Sequence, residues 1–457
     1  MSTTVQGSIL SKEMQRDPKL ATYGSYQYSK LTPNAALPTS VTVGGDIIEI
    51  ELPAKCINHF FDRMEFDLTL VGTTTFNNMF LDGIAPIQTL ELVSYGGQHI
   101  VNTVHFNNFT NATMRRTHKI EKVLCKERIP VIAATNSYFE GLSCCNGELT
   151  IRQPISTATG VLTAPIEKYL EPLSVGESAT GASLVIKYRL NMGDLKDTFF
   201  NCCRDVNFNE IVLLRITTAA QTKVGYVSST TVSTSASTKQ TAGYTFSNFA
   251  YYVAIQKDQD IIDSVNRAPR QEMNIPFVWT TKIQTATVSA DNTLTIRINT
   301  PNGSRLLRMY WAAYAAELNT DARAFSVYDK DNLTQTKVAT FYITVDGEKR
   351  QMYDFTCSRN EDYNTYRNLF KGSCILSASD HYKYFTHCEN FCDNYALCDE
   401  FEYSKTNWIE GTPIEKEIKI DINFLAGTEQ CHNYIFTVCQ RKLIIDKQLG
   451  IIVNSDP

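Results

Sequence analysis

The stretch "IQTLELVSYGGQHI", residues 87–100, decides how this chain is read. Isoleucine, threonine, leucine and valine favour a pleated, half-buried strand, and the glycine pair that follows favours a tight turn. The sequence therefore predicts a hairpin. At 338–351, "VATFYITVDGEKRQ" has the same form, with its turn at Gly347. Gly96 and Gly347 lie 251 positions apart (347 minus 96). One hairpin written twice raises the question of one folding unit present twice.

The surrounding sequence is compatible with that. A chain of 457 residues exceeds one ordinary core and fits two domains of roughly 200 residues each. Hydrophobic residues make up 43% and charged residues 20%, which argues for a globular chain. Period-two alternation dominates. In "DRMEFDLTL" Met64, Phe66, Leu68 and Leu70 face one way, and Arg63, Glu65, Asp67 and Thr69 the other. The pattern recurs in Ile48, Ile50 and Leu52; in Leu184, Ile186, Tyr188 and Leu190; and in Leu294, Ile296 and Ile298. Ile418, Ile420, Ile422 and Phe424 repeat it, as do Tyr434, Phe436 and Val438.

Helical periodicity is confined to three short segments: 108–116, 258–267 and 361–370. Asp258 is placed to cap the second, and Tyr363, Tyr366 and Phe370 share a face of the third. Strands without alternating helices mean sheet packed on sheet, as in jelly rolls or Greek-key sandwiches. The Ser/Thr-rich segment 227–241 reads as an exposed loop.

Each half has the hairpin, then a segment rich in Asn and aromatics ("NNFTNATMRR" and "NEDYNTYRNLF"). A long irregular stretch and a regular strand follow, "ASLVIKYRL" at 182–190 and "KEIKIDINF" at 416–424. Periodicity alone does not separate a duplicated unit from two unrelated β-sandwiches.

Four passages carry a resemblance that does. They are "IQTLELVSYGGQHI"; "ASLVIKYRLNMGDLKDTFF" with "NEIVLLRIT"; "YYVAIQKDQDIIDSVNRAPRQEMNIPF"; and "NYIFTVCQRKLIIDKQLGIIV". Together they resemble the double jelly-roll major capsid proteins of double-stranded DNA viruses, especially the Polinton-like virus and virophage branch. The resemblance implies an all-β fold of two tandem eight-stranded jelly-roll barrels with short helices in the connecting loops. The expected division is an arm at 1–40, a first barrel at 41–256, a linker helix at 257–270 and a second barrel at 271–457. It further implies a homotrimer that imitates a hexamer, tiles an icosahedral shell, and meets neighbouring capsomers, penton proteins and minor capsid proteins. The expected location is the virion capsid, assembled inside the host cell. The alternative is a receptor- or glycan-binding sandwich of the fibre or lectin kind, which tyrosine-rich loops would serve.

Composition narrows the remaining classes. Net charge is -5 and no basic block stands out, so direct sequence-specific nucleic-acid binding is not expected. No signal peptide is read at the start, and no apolar run approaches a membrane span. Thirteen cysteines, an odd count, fit reduced thiols in a reducing compartment better than a disulfide framework. Four Asn-x-Ser/Thr sequons, at Asn108, Asn111, Asn302 and Asn332, read as chance matches. No nucleophile elbow, phosphate loop or His-x-His metal strand occurs, so neither an enzyme nor a cofactor is expected. One metal alternative stands in "HYKYFTHCENFCDNYALC": His387, Cys388, Cys392 and Cys398 could hold zinc, although their spacing is looser than the usual two close pairs.

Overall fold

The computed structural model describes residues 26–71, 78–81, 86–113, 156–157, 160–161, 173–175, 183–195, 197–221, 225–228, 237–239, 243–285, 292–298, 305–315, 338–349, 355–356, 396–400, 412–413, 417–424 and 431–455. Alternation in these segments becomes antiparallel sheet. The first lobe has eight principal strands: β1 (Tyr26–Leu31), β2 (Ile47–Leu52), β3 (Arg63–Val71), β4 (Ile87–Ser94), β5 (His99–Val104), β6 (Ser183–Asn191), β7 (Val212–Thr218) and β8 (Tyr244–Gln256). They form two sheets, ordered β1-β8-β3-β6 and β2-β7-β4-β5.

The second lobe repeats this with β9 (Arg270–Thr285), β10 (Asn292–Ile298), β11 (Arg305–Ala315) and β12 (Val338–Val345). Then come β13 (two pieces, Glu348–Lys349 and Phe355–Thr356), β14 (Ala396–Glu400), β15 (Ile418–Phe424) and β16 (Cys431–Asp446). Their orders are β9-β16-β11-β14 and β10-β15-β12-β13. Adding eight to each strand number of the first lobe gives the order of the second. This is the jelly-roll winding twice over. A final strand, β17 (Gly450–Ser455), pairs with the end of β16.

The opening hairpin is β4–β5 and its echo is β12–β13, the same position in both barrels. The turns differ in detail. Asp346 and Gly347 both have positive φ (52° and 91°), as a two-residue hairpin turn requires. The first turn is one residue longer, and its left-handed residue is Gly97 (φ 80°), not Gly96.

One expected equivalence is corrected. Residues 182–190 and 416–424 are not the same strand: the first supplies β6, in the sheet with β3, and the second supplies β15, in the opposite sheet. The true partners are β6 with β14, starting 213 residues apart (183 and 396), and β7 with β15, starting 206 apart (212 and 418). Both strands of the mistaken pair alternate cleanly, and alternation says nothing about which neighbour a strand takes.

Part of the stretch expected as an arm is also structural, because Tyr26–Leu31 pairs along Tyr251–Gln256. The first barrel therefore starts before residue 41. Helix α1 (Phe106–Thr113) follows β5, and α2 (Gln259–Arg267) joins the barrels. Asp258 caps α2 by accepting from the Asp260 N–H at 3.0 Å. Segment 361–370 lies outside the described residues.

Two apolar cores result. The first is built on Ile48, Ile50, Phe66, Leu92, Leu214 and Val253, the second on Ile296, Trp311, Ile343, Ile420 and Ile435. The first core does not stop at its own lobe. Met273 and Ile275 of β9, Leu443 and Ile445 of β16, and Ile451 of β17 belong to it.

Candidate functional surface and buried polar centres

The two barrels are joined along a seam. On one side stand β5 and α1 of the first lobe, and on the other the outward face of the β9-β16-β11 sheet. Phe109 packs on Phe436 (centroids 5.3 Å apart) and on Tyr310 (6.3 Å), and the His105 ring lies edge-on to Tyr434 (5.2 Å). Thr280 donates through Oγ1 to the Val104 carbonyl at 3.0 Å. Buried Asp197, in the loop after β6, pairs with Arg308 and accepts from the Tyr310 hydroxyl.

The alternation read through Tyr434, Phe436 and Val438 is thus a second buried face. The barrel side of β16 carries Ile435 and Cys439, while Tyr434 and Phe436 face the neighbouring lobe. A strand covered on both sides loses the polar half of its pattern.

Helix α2 closes the lower end. Asn266 accepts from Asn207 Nδ2 at 2.8 Å through its side chain, and from Lys447 Nζ through its backbone carbonyl. Strands β8 and β16 both finish at this end, so the barrels stand side by side with matching strands running the same way.

Two polar centres lie in the first lobe, one buried and one half-buried. Asp62, fully buried, accepts from three donors: the His59 ring at 2.6 Å, the Tyr251 hydroxyl at 2.9 Å and the Ala254 N–H at 2.8 Å. Since a carboxylate can only accept, Nδ1 of His59 carries the proton. This is the geometry of an acid–base pair, but the imidazole is 1% exposed and packs against Phe199, Phe200 and Phe208. Its chemistry is to tie the 3-10 turn His59–Phe61 to β8.

The second centre gathers Tyr26, Asn58 and Asp205 with Gln256 and two thiols. Tyr26 donates to Asp205 at 3.1 Å, Gln256 Nε2 donates to it at 3.3 Å, and Asn58 Nδ2 donates to the Tyr26 oxygen at 3.1 Å. Burial raises the Asp205 carboxyl to about 6, against the lowering effect of these donors. Burial first, then the neighbouring Asp205 charge, pushes Cys56 to about 12 and Cys203 to about 11. Such thiols are protonated and unreactive at neutral pH. Cys56, Cys202, Cys203 and Cys439 are all free.

Of the zinc alternative, His387, Cys388 and Cys392 lie outside the described residues, and Cys398 sits in β14 opposite Tyr310 in register. Among the described residues no three His, Cys, Asp or Glu side chains gather around a common point. Asn108 of the first sequon is buried in α1, where no glycan could be attached. No helix among the described residues is long and apolar enough to cross a membrane. Neither centre was legible in sequence, because Asp62 finds Tyr251 and Ala254 about 190 residues away.

The class defined by this architecture is the double jelly roll, two barrels of one topology side by side in one chain. No protein-family model matches the sequence, and no curated protein matches it. Solved structures do match the fold. PBCV-1 VP54, fitted into a cryo-electron-microscopy reconstruction of the virophage Sputnik, superposes with TM-score 0.55 at 13% identity, over 95% of this chain and 98% of that one. The Sputnik virophage structure gives 0.53 at 12%, over 94% and 88%. The Faustovirus major capsid protein gives 0.51 at 9%, over 92% and 90%. At these identities the likeness lies in the fold, and it spans both barrels.

Proposed function

We propose that this chain is a major capsid protein. Three copies form a pseudo-hexameric capsomer, and capsomers tile an icosahedral shell. The observation that carries this reading is the repetition itself: two barrels of identical strand order, locked side by side and pointing the same way. A shell needs six-fold blocks, and a duplicated barrel lets three chains present six similar walls. The fold shared with the PBCV-1 virus capsid structure and the Faustovirus major capsid protein supports it.

The finer assignments follow from the same reading. The chain resides in the virion after assembly in a reducing host compartment, and meets neighbouring capsomers, penton proteins and minor capsid proteins. Electron microscopy with mass measurement of the purified protein tests the proposal. Three-lobed particles of trimer mass are expected. A monomer that stays monomeric at micromolar concentration across salt conditions would overturn it.

A further inference from the structure

In the lower half of the second barrel, β9 and β16 run in register, with Trp279 opposite Thr437, Phe277 opposite Cys439 and Ile275 opposite Arg441. Alternate residues of a strand share a face. Thr437 and Arg441 therefore stand on the same side of β16 as Ile435 and Cys439, which are core residues of this barrel. Trp279 packs against that core from β9.

Each of these three polar side chains holds a buried atom without a hydrogen-bond partner. Thr437 is fully buried, and nothing among the described residues meets its Oγ1. Nε1 of Trp279 and Nε of Arg441 are likewise buried, with no acceptor among the described residues. Further up the same face an indole is satisfied, because Trp311 Nε1 donates to Asn433 at 3.0 Å. The Arg441 guanidinium lies 3.6 Å from the Phe277 ring centroid and 5.0 Å from that of Trp279. Those rings attract the cation, but its N–H groups still need acceptors. Burial holds the Arg441 pKa below its ordinary value, against the opposing pull of Cys439. The only acid of β9, Glu272, stands on the opposite face, taken by Lys442 (2.8 Å) and Arg270 (2.6 Å). The facing sheet brings Ile298, Ile343, Ile418 and Ile420, all apolar, to this core. Buried polar groups are nearly always satisfied, so three such atoms on two neighbouring strands point to an acceptor that binds among them.

We propose that the lower half of the second barrel binds a small, singly charged oxyanion of the carboxylate class, held by Arg441, Trp279 and Thr437. Guanidinium and indole N–H groups only donate, and a hydroxyl can donate as well, so the set suits an anion and not a metal cation. One guanidinium balances one negative charge. A carboxylate meets a guanidinium edge through two parallel bonds, and its remaining lone pairs can accept from the indole and the hydroxyl. Apolar walls strengthen each of these bonds. Arg441 and Trp279 are half-buried while Thr437 is fully buried, so the site runs inward from solvent at Arg441. Donors at that depth suit a small free ion. The proposal does not depend on the capsid reading, because every group belongs to one barrel.

The chain has three tryptophans, so protein with isotope-labelled tryptophan gives three indole N–H signals in NMR. Trp279→Phe identifies the Trp279 signal by its loss. Acetate is the probe, and sodium chloride of equal ionic strength is the control. The Trp279 signal should move saturably with acetate and stay in place with chloride. The Trp311 signal should not move, since its N–H is already bonded to Asn433. Thr437→Val exchanges the hydroxyl for a methyl of similar size and should weaken acetate binding about tenfold. Its urea unfolding midpoint in chloride should equal or exceed that of the wild type, because the lost hydroxyl had no partner. Arg441→Met should abolish the shift. A Trp279 signal that acetate leaves unmoved overturns the proposal, as does an equal shift with chloride or undiminished affinity in Thr437→Val. Should Arg441→Met fail to fold, the Thr437→Val comparison decides alone.

Discussion

Asp205 shows how a single carboxyl can be held at a cost to stability. Its folded-state value of about 6 exceeds the ordinary 3.8, so between roughly pH 4 and pH 6 the folded chain binds more protons than the unfolded one. Stability falls as pH rises through that window. The penalty is complete above pH 6 and absent below about pH 4. Asp205→Asn keeps an oxygen for Tyr26 and Gln256 and removes the charge. The variant should be more stable than the wild type at pH 7.5, by up to about 3 kcal/mol. The gap should close as pH falls to 4, read from urea unfolding midpoints at each pH. A variant less stable at pH 7.5 would show that the Tyr26 bond to the ionised carboxylate outweighs burial. Nothing in "CCRDVNF" marks this residue, because its burial depends on β1 and β8, which come from the two ends of the first barrel.

Elements were legible where their cause was local. Alternation located β2, β3, β10 and β15. Asp258 placed the start of α2, and turn chemistry marked both β4–β5 and β12–β13. Sequence failed where the cause was a neighbour. The β6 and β15 strands match as repeats only because both alternate strongly, and the alternation through Tyr434, Phe436 and Val438 does not say that Phe436 faces the other lobe. Helix α1 shows the same limit. Its expected span of 108–116 missed Phe106, which packs into the first core, while Phe109 packs on the second lobe. Phe109 is 1% exposed, and Phe109→Ala would leave a void between α1 and the outward face of β16 and β11, costing about 3 kcal/mol. Because the void lies at the seam, hydrogen exchange should quicken in β5, β9 and the β11 outward face. Strands β10 and β15, on the far sheet of the second lobe, should hardly change. Uniform acceleration across both lobes would contradict a local role for α1.

Joined by this seam, the two barrels resemble two domains on a linker, yet the apolar packing does not divide at α2. The lower ends of β9 and β16, with β17, form a three-stranded ribbon whose Met273, Ile275, Leu443, Ile445 and Ile451 complete the first core. The first barrel therefore cannot bury its apolar interior until the last strands of the chain arrive. Those strands are in turn the central strand and edge of the second barrel's sheet. Shared strands of this kind couple the stability of both lobes. Leu443, fully buried, lies in a second-lobe strand, and Leu443→Ala should cost about 2–5 kcal/mol. The loss should appear as faster exchange in β4 and β7 of the first lobe as well as in β16. Calorimetry of the wild type should then give one unfolding transition, not two, and the variant should shift that whole transition downward. Two separate transitions, with only the second moved by the substitution, would mean that the ribbon is an accessory to the first core. Under the proposed capsid function, such coupling has a consequence for assembly: a subunit with either barrel unfolded lacks the core that both lobes share, so only whole subunits would enter a capsomer.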